Sequence, residues 1–218
     1  MTAPLKEVPM ATNGAYISDV EISDAATIYG KYHAVMGSSV SYVGVWAGRK
    51  AVSAPIAIAP APVTDGVFRL AGVGSGVNFG IGEYTIAYIV DIGLRYHAIC
   101  GTLLLSHGKP IEVQHTRVAV VGQSSSAGET YVTISYSMPD GNTPCLNSDA
   151  LCVFTGDQVV VPGAGDQVGF GVFDSDAVTG KVNVPISSPM VHGRKYIIEY
   201  APANQVLVSA YNTFIWTL

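Results

Sequence analysis

Charge is the scarcest property of this chain. Lys and Arg number 11 and Asp and Glu 16, so charged residues are 12% of 218, about half the share in an ordinary soluble domain. The net charge is −5, and no basic run exceeds two residues. This excludes the basic stripe of a nucleic-acid binder, and also a genome-lining coat protein with a basic arm. A compact monomer of this mass exposes roughly 9,500 Å², over which so few charges are thinly spread. Neighbouring copies, or a surface rich in Ser, Thr and Gly, must cover the remainder.

Long apolar runs are missing too. The most apolar stretch, residues 51–63, is broken by Pro55, Pro60 and Pro62, well short of the ~18 residues of a membrane helix. No apolar segment follows Lys6, so a secretory leader is not expected. Direct contact with membrane or nucleic acid is not expected either. Cysteines are three, Cys100, Cys145 and Cys152. An odd number without a leader favours free, buried thiols. A Cys145–Cys152 disulfide is the lesser alternative, because the turn residues between the two are able to bring them together.

Catalytic spacing is absent. The glycine-rich stretch Gly72–Gly82 fits G-x-G-x-x-G in no register and runs into a strand pattern instead of a helix. There is no Walker sequence, H-E-x-x-H, C-x-x-C or G-x-S-x-G. His97 and Cys100 are three apart in a strand pattern, so they face opposite ways. Asp174 and Asp176 share a side but lack the remaining ligands of a calcium loop. The chain reads as a non-enzyme with no catalytic residue, no cofactor and no metal site.

What is present is β-former. Val is 29 and Ile 16 against 10 Leu, and 24 Gly and 12 Pro are scattered as punctuation. Glu83–Ile92 and Tyr131–Met138 alternate; Arg95–Leu105 is nearly all apolar and reads as a central strand. The pattern predicts an all-β antiparallel sandwich, jelly-roll-like, of roughly 12–14 strands. Residues 51–59 and 158–161 read as strands, and 111–121 as one long strand. One short helix is expected near 24–36, where Ala25, Ile28, Tyr29, Tyr32, Val35 and Met36 fall at helical spacing before Gly37. Gly156-Asp-Gln-Val159 recurs at Gly165-Asp-Gln-Val168, as in two arms of a hairpin. Residues 1–13 read as an extended arm, and 14–218 as a single sandwich with 122–129 or 139–149 as the place for any seam.

In composition and layout the chain resembles bacteriophage virion components: capsid decoration or cement proteins, tail proteins and fibre knobs. The resemblance implies a structural assembly protein, made in the host cytoplasm and resident in the virion. Its partners would be itself, with a trimer favoured, and other virion proteins. Candidate assembly contacts are Pro4 and Pro9 in the arm and Phe214 and Trp216 in the apolar C-terminus. The alternative is a glycan-binding sandwich or adhesin, with Tyr42 and Trp46 on one strand face as a stacking platform for host sugars.

Overall fold

The structure is a computed structural model that describes residues 13–72, 76–92, 96–126, 128–164, 166–203 and 207–218. Pro4 and Pro9 lie outside the described residues, as does all but the last residue of the expected arm. The first half holds β1 (Tyr16–Asp24), β2 (Thr27–His33), β3 (Ser41–Ala47), β4 (Ala57–Pro60), β5 (Asp65–Ala71), β6 (Glu83–Ile92), β7 (Tyr96–Ser106) and β8 (Lys109–His115). The second half holds β9 (Arg117–Ser126), β10 (Glu129–Ser137), β11 (Ala150–Thr155), β12 (Gln167–Val172), β13 (Thr179–Pro185), β14 (Lys195–Ala201) and β15 (Ala210–Ile215). Every pairing is antiparallel.

The protein is all-β, built as sandwiches from four sheets ordered β1-β2-β5, β4-β3-β6-β7-β8, β13-β10-β9 and β12-β11-β14-β15. Where the sequence reading expects one sandwich, the apolar residues gather in two. Ile17, Ile28, Phe68 and Leu70 of the first sheet pack with Val43, Val45, Ile86, Tyr88 and Leu103 of the second. Val132, Ile134 and Val184 of the third pack with Leu151, Val153, Ile198 and Tyr200 of the fourth. The break falls at Thr116, between β8 and β9. It is not at 122–129, which runs from the end of β9 to the start of β10, nor at 139–149, which leads into β11. The expected long strand 111–121 is therefore two strands in different sheets.

No helix forms among the described residues, and the expected one near 24–36 is the β1–β2 hairpin. Ile28, Gly30 and Tyr32 point inward on alternate positions, while Tyr29 and Lys31 point out. Gly30 is required there, because a Cβ would strike the ring of Phe68. The helical spacing of Ala25, Ile28 and Tyr32 coincides with this alternation and loses to it, as tertiary packing overrides a pattern interrupted by glycine. Residues 51–59 yield only β4, and 158–161 form no strand.

Candidate functional site

The two sandwiches meet through a buried polar cluster. Asn142, in the turn after β10, accepts the Ile99 N–H at 2.8 Å and the Asn147 amide at 3.2 Å. Its own amide donates to the Tyr200 hydroxyl at 3.0 Å and to Asp149 at 3.3 Å. Tyr200 donates to Asp149, which also accepts the Ala203 N–H at 2.7 Å. Asn147 pairs with the His97 backbone on both sides, as a strand would, at 3.0 and 3.2 Å. Burial pushes the Asp149 carboxyl up to about 7, against the pull of Tyr200, the Ala203 amide and Asn142. Backbone bonds from Ala15 to Ser209 and from Tyr211 to Asn13 close the same seam.

Tyr42 and Trp46 lie beside this seam, on the outward face of the β4-β3-β6-β7-β8 sheet. Trp46 is 1% exposed. Its ring lies over Gly44, where a Cβ would come within 2.6 Å, and its indole N–H donates to the Ser53 carbonyl at 3.1 Å. Trp46 packs with Ala51, Ala87, Ile89 and Ile99, so the loop between β3 and β4 covers it and it presents no face to a sugar. Tyr42 is half-buried, with its hydroxyl 3.2 Å from His97 Nδ1. Asp91 Oδ2 stands 3.8 Å from the same nitrogen. Burial lowers the His97 pKa, and Asp91 opposes that shift. The expected stacking platform is instead a Tyr–His–Asp cluster that fastens β3 to β6 and β7.

Phe214 and Trp216 serve their own sandwich. Trp216 is 3% exposed and Phe214 packs on Tyr196 with ring centroids 5.7 Å apart. Phe214 and Trp216 turn into the core, while Ile215 is 49% and Leu218 55% exposed. Gln123 stands in for a neighbouring strand, meeting the Ile215 carbonyl at 2.8 Å and the Thr217 N–H at 2.9 Å. Cys145 is exposed and Cys152 buried, and both are free. No group of three or more metal-ligating side chains gathers among the described residues.

Two surfaces remain that sequence reasoning did not single out. The outward face of β1-β2-β5 carries a shallow groove of about 750 Å³ lined by Asp19, Glu21, Tyr29, Lys31, Val67 and Arg69. Arg69 Nε donates to the Tyr29 hydroxyl at 3.0 Å. The outward face of β12-β11-β14-β15 is crossed by the segment 156–164, whose Val159 and Val160 pack on Cys152, Phe154, Ile197 and Ala201. The signal for the first was the alternation of Tyr29, Lys31 and His33, which the helical reading hid.

No protein-family model matches the chain, and no curated protein does. Among solved structures, a purple acid phosphatase from yellow lupin (Lupinus luteus) seeds is 13% identical with a TM-score of 0.26. The alignment covers 92% of this chain and 41% of the phosphatase, so the chain spans about two fifths of that structure's length. Bovine butyrophilin is 7% identical with a TM-score of 0.24, over 94% of this chain and 98% of its own. At these scores neither bears on function.

Proposed function

We propose that this chain is a structural assembly component of a virion, of the bacteriophage decoration, tail or fibre-knob kind. It works through contacts with copies of itself and with other particle proteins. The observation that carries this reading is aliphatic exposure on strands of all four sheets. Val67 on β5 is 77% exposed, Ile58 on β4 61%, Val121 on β9 51% and Val172 on β12 60%. Lys31 and Arg69 flank Val67, but charged residues are only 12% of the chain, so docking such faces against a neighbour removes apolar surface from water with limited ionic desolvation. The buried seam lets both sandwiches carry load as one piece. Light scattering after size exclusion tests the proposal, with negative-stain images of the peak. A defined oligomer, most simply a trimer, that persists on dilution is the expected result. A 22.8 kDa particle at all concentrations would remove the self-assembly half of the proposal.

One observation favours a glycan-binding reading as the second. Tyr29 is 43% exposed in the β1-β2-β5 groove, with Asp19, Glu21, Lys31 and Arg69 around it. An aromatic flanked by hydrogen-bonding side chains is suited to a sugar ring. Retention on a glycan array that disappears in Tyr29→Ala supports this reading. An array with no retained glycan ends it.

A further inference from the structure

We infer that the segment Gly156–Ala164 is a displaceable strap, latched to the β12-β11-β14-β15 sheet by the carboxyl group of Glu199 and released when that group ionises. Cys152, Phe154, Ile197 and Ala201 point away from the core between the sheets, yet each is 0% exposed. Val159 and Val160 of the strap and Tyr211 of β15 cover them. In the middle of this covered face sits Glu199, also 0% exposed. Its Oε1 accepts the Val160 N–H at 2.6 Å, and its Oε2 has no partner among the described residues.

Among the described residues, the surroundings supply no charge to balance an anion there. Glu199 stands opposite Cys152 on β11 and opposite Tyr211 on β15. The strap's own ionisable group is Asp157, which holds Lys195 Nζ at 3.3 Å where both are solvent-exposed. A neutral carboxyl group is tolerable in such a place. An ionised one with a bare oxygen is not, unless water reaches it. The strap is built to let water in. Gly156 (φ +104°) and Gly163 (φ +82°) bracket it in the left-handed region, and a Cβ at either would meet nothing within 4 Å. Backbone conformation, rather than packing, is what glycine supplies at both ends. Among the described residues, the backbone between these glycines is held to the sheet by the Val160–Glu199 bond.

The direction follows from linkage. Burial pushes the Glu199 carboxyl up to about 7 under the closed strap, and exposure returns it to the ordinary range near 4.3. The closed form therefore holds its proton more tightly, and raising the pH favours opening. The opening constant rises on the order of 70-fold between pH 5 and pH 8.

Cys152 reports the opening directly, because it lies under the strap. Cys145 is the exposed reference in the same chain, and Cys100, buried in the other sandwich, reports wider unfolding. The chain is pulsed with N-ethylmaleimide at pH 5 to 8, and the labelled thiols are resolved by peptide mass spectrometry. Taking the rate of Cys152 relative to Cys145 cancels the reagent's own pH dependence. This ratio is expected to rise on the order of 70-fold in the wild type, to stay flat in Glu199→Gln, and to leave Cys100 unlabelled. A flat wild-type ratio, or an equal rise in Glu199→Gln, overturns the proposal. If Cys100 labelling shows Glu199→Gln to be unfolded, Val160→Pro decides the matter, since it deletes the N–H that Glu199 holds. Free labelling of Cys152 at pH 5 then supports the latch, and continued protection overturns it.

Discussion

The Tyr200 hydroxyl donates a hydrogen bond to Asp149, 51 residues earlier in the chain, in the buried seam where the two sandwiches meet. The pair ties β14 to the turn before β11. Asn142 then extends the same network to the Ile99 amide on β7, in the other sandwich. A protein of this length has residues enough for two cores. What makes them one piece is this polar cluster, the backbone bonds at Ala15 and Tyr211, and Ala203 and Leu207, which follow β14 and pack in the first core.

The first prediction concerns pH. Burial holds the Asp149 carboxyl near 7, while an unfolded aspartate titrates near 3.9. Its contribution to stability is complete below about pH 4 and is lost as the pH rises through 7. Glu199 acts in the same sense. His97 and His115, lowered by burial, act the other way below about pH 6.5. Comparing wild type with Asp149→Asn isolates the one group. The replacement carries a fixed cost, because its amide meets the donors Tyr200 and Asn142. On top of that, the stability difference should move in favour of Asn by up to about 4 kcal/mol between pH 4 and pH 8. Urea denaturation at a series of pH values measures it, and a pH-independent difference would show that Asp149 ionises normally.

The second prediction concerns the hub. Asn142→Ala leaves the Ile99 N–H without an acceptor in a dry place and removes a donor from Tyr200, which keeps its own bond to Asp149. The stranded N–H costs about 1–3 kcal/mol, and a loss of that size is expected. Because Asn142 joins the halves, the urea transition should also broaden or split. A small loss with an unchanged slope would mean that the seam rests on its backbone bonds and on the packing of Ala203 and Leu207.

Strands were legible in the sequence wherever alternation was clean. β6 is Glu83–Ile92, as its pattern indicates, with Tyr84, Ile86, Tyr88 and Val90 facing one core. Val132, Ile134 and Tyr136 of β10 face the other. The break at Thr116 was not legible, since neither glycine nor proline marks it. His115 ends one sheet, Arg117 starts another, and the apolar pattern continues across both. The strap was misread because Val159, Val160 and Val161 form a β-branched run. Val159 and Val160 pack down on an outward face instead of pairing, and Val161 is 49% exposed, something only the neighbouring sheet decides. The candidate aromatics failed for a similar reason: a strand face identifies Tyr42 and Trp46 as neighbours but does not say what lies over them.

The third prediction is spectroscopic. Trp46 and Trp216 are 1% and 3% exposed, and they are the two tryptophans of the chain. The native protein should emit at short wavelength and resist iodide quenching. Sugars should leave the spectrum unchanged even if the Tyr29 groove binds them. Strong iodide quenching in the native state would place at least one indole at the surface.

The last prediction separates core from contact at the C-terminus. Trp216 is wedged into its own sandwich, with its N–H on the Arg194 carbonyl at 3.1 Å and its carbonyl accepting from Gly193 at 2.8 Å. Removing so large a buried ring costs about 3–5 kcal/mol. Trp216→Ala should therefore lower the melting temperature markedly, yet leave the particle mass unchanged while the chain stays folded. Val172 is the opposite case: it is 60% exposed on the edge strand β12 and holds no core together. Val172→Glu should change the melting temperature of the isolated fold little, since exposed substitutions stay within about 0.5 kcal/mol. A charge placed in an apolar contact, however, carries a desolvation cost of several kcal/mol. If that face meets a neighbour, Val172→Glu splits the particle at concentrations where the wild type remains whole. Light scattering and thermal melts on both variants decide the point. If Trp216→Ala dissociates the particle at full fold, the apolar C-terminus is a contact after all. If Val172→Glu leaves mass and melting alike untouched, assembly uses another of the exposed faces.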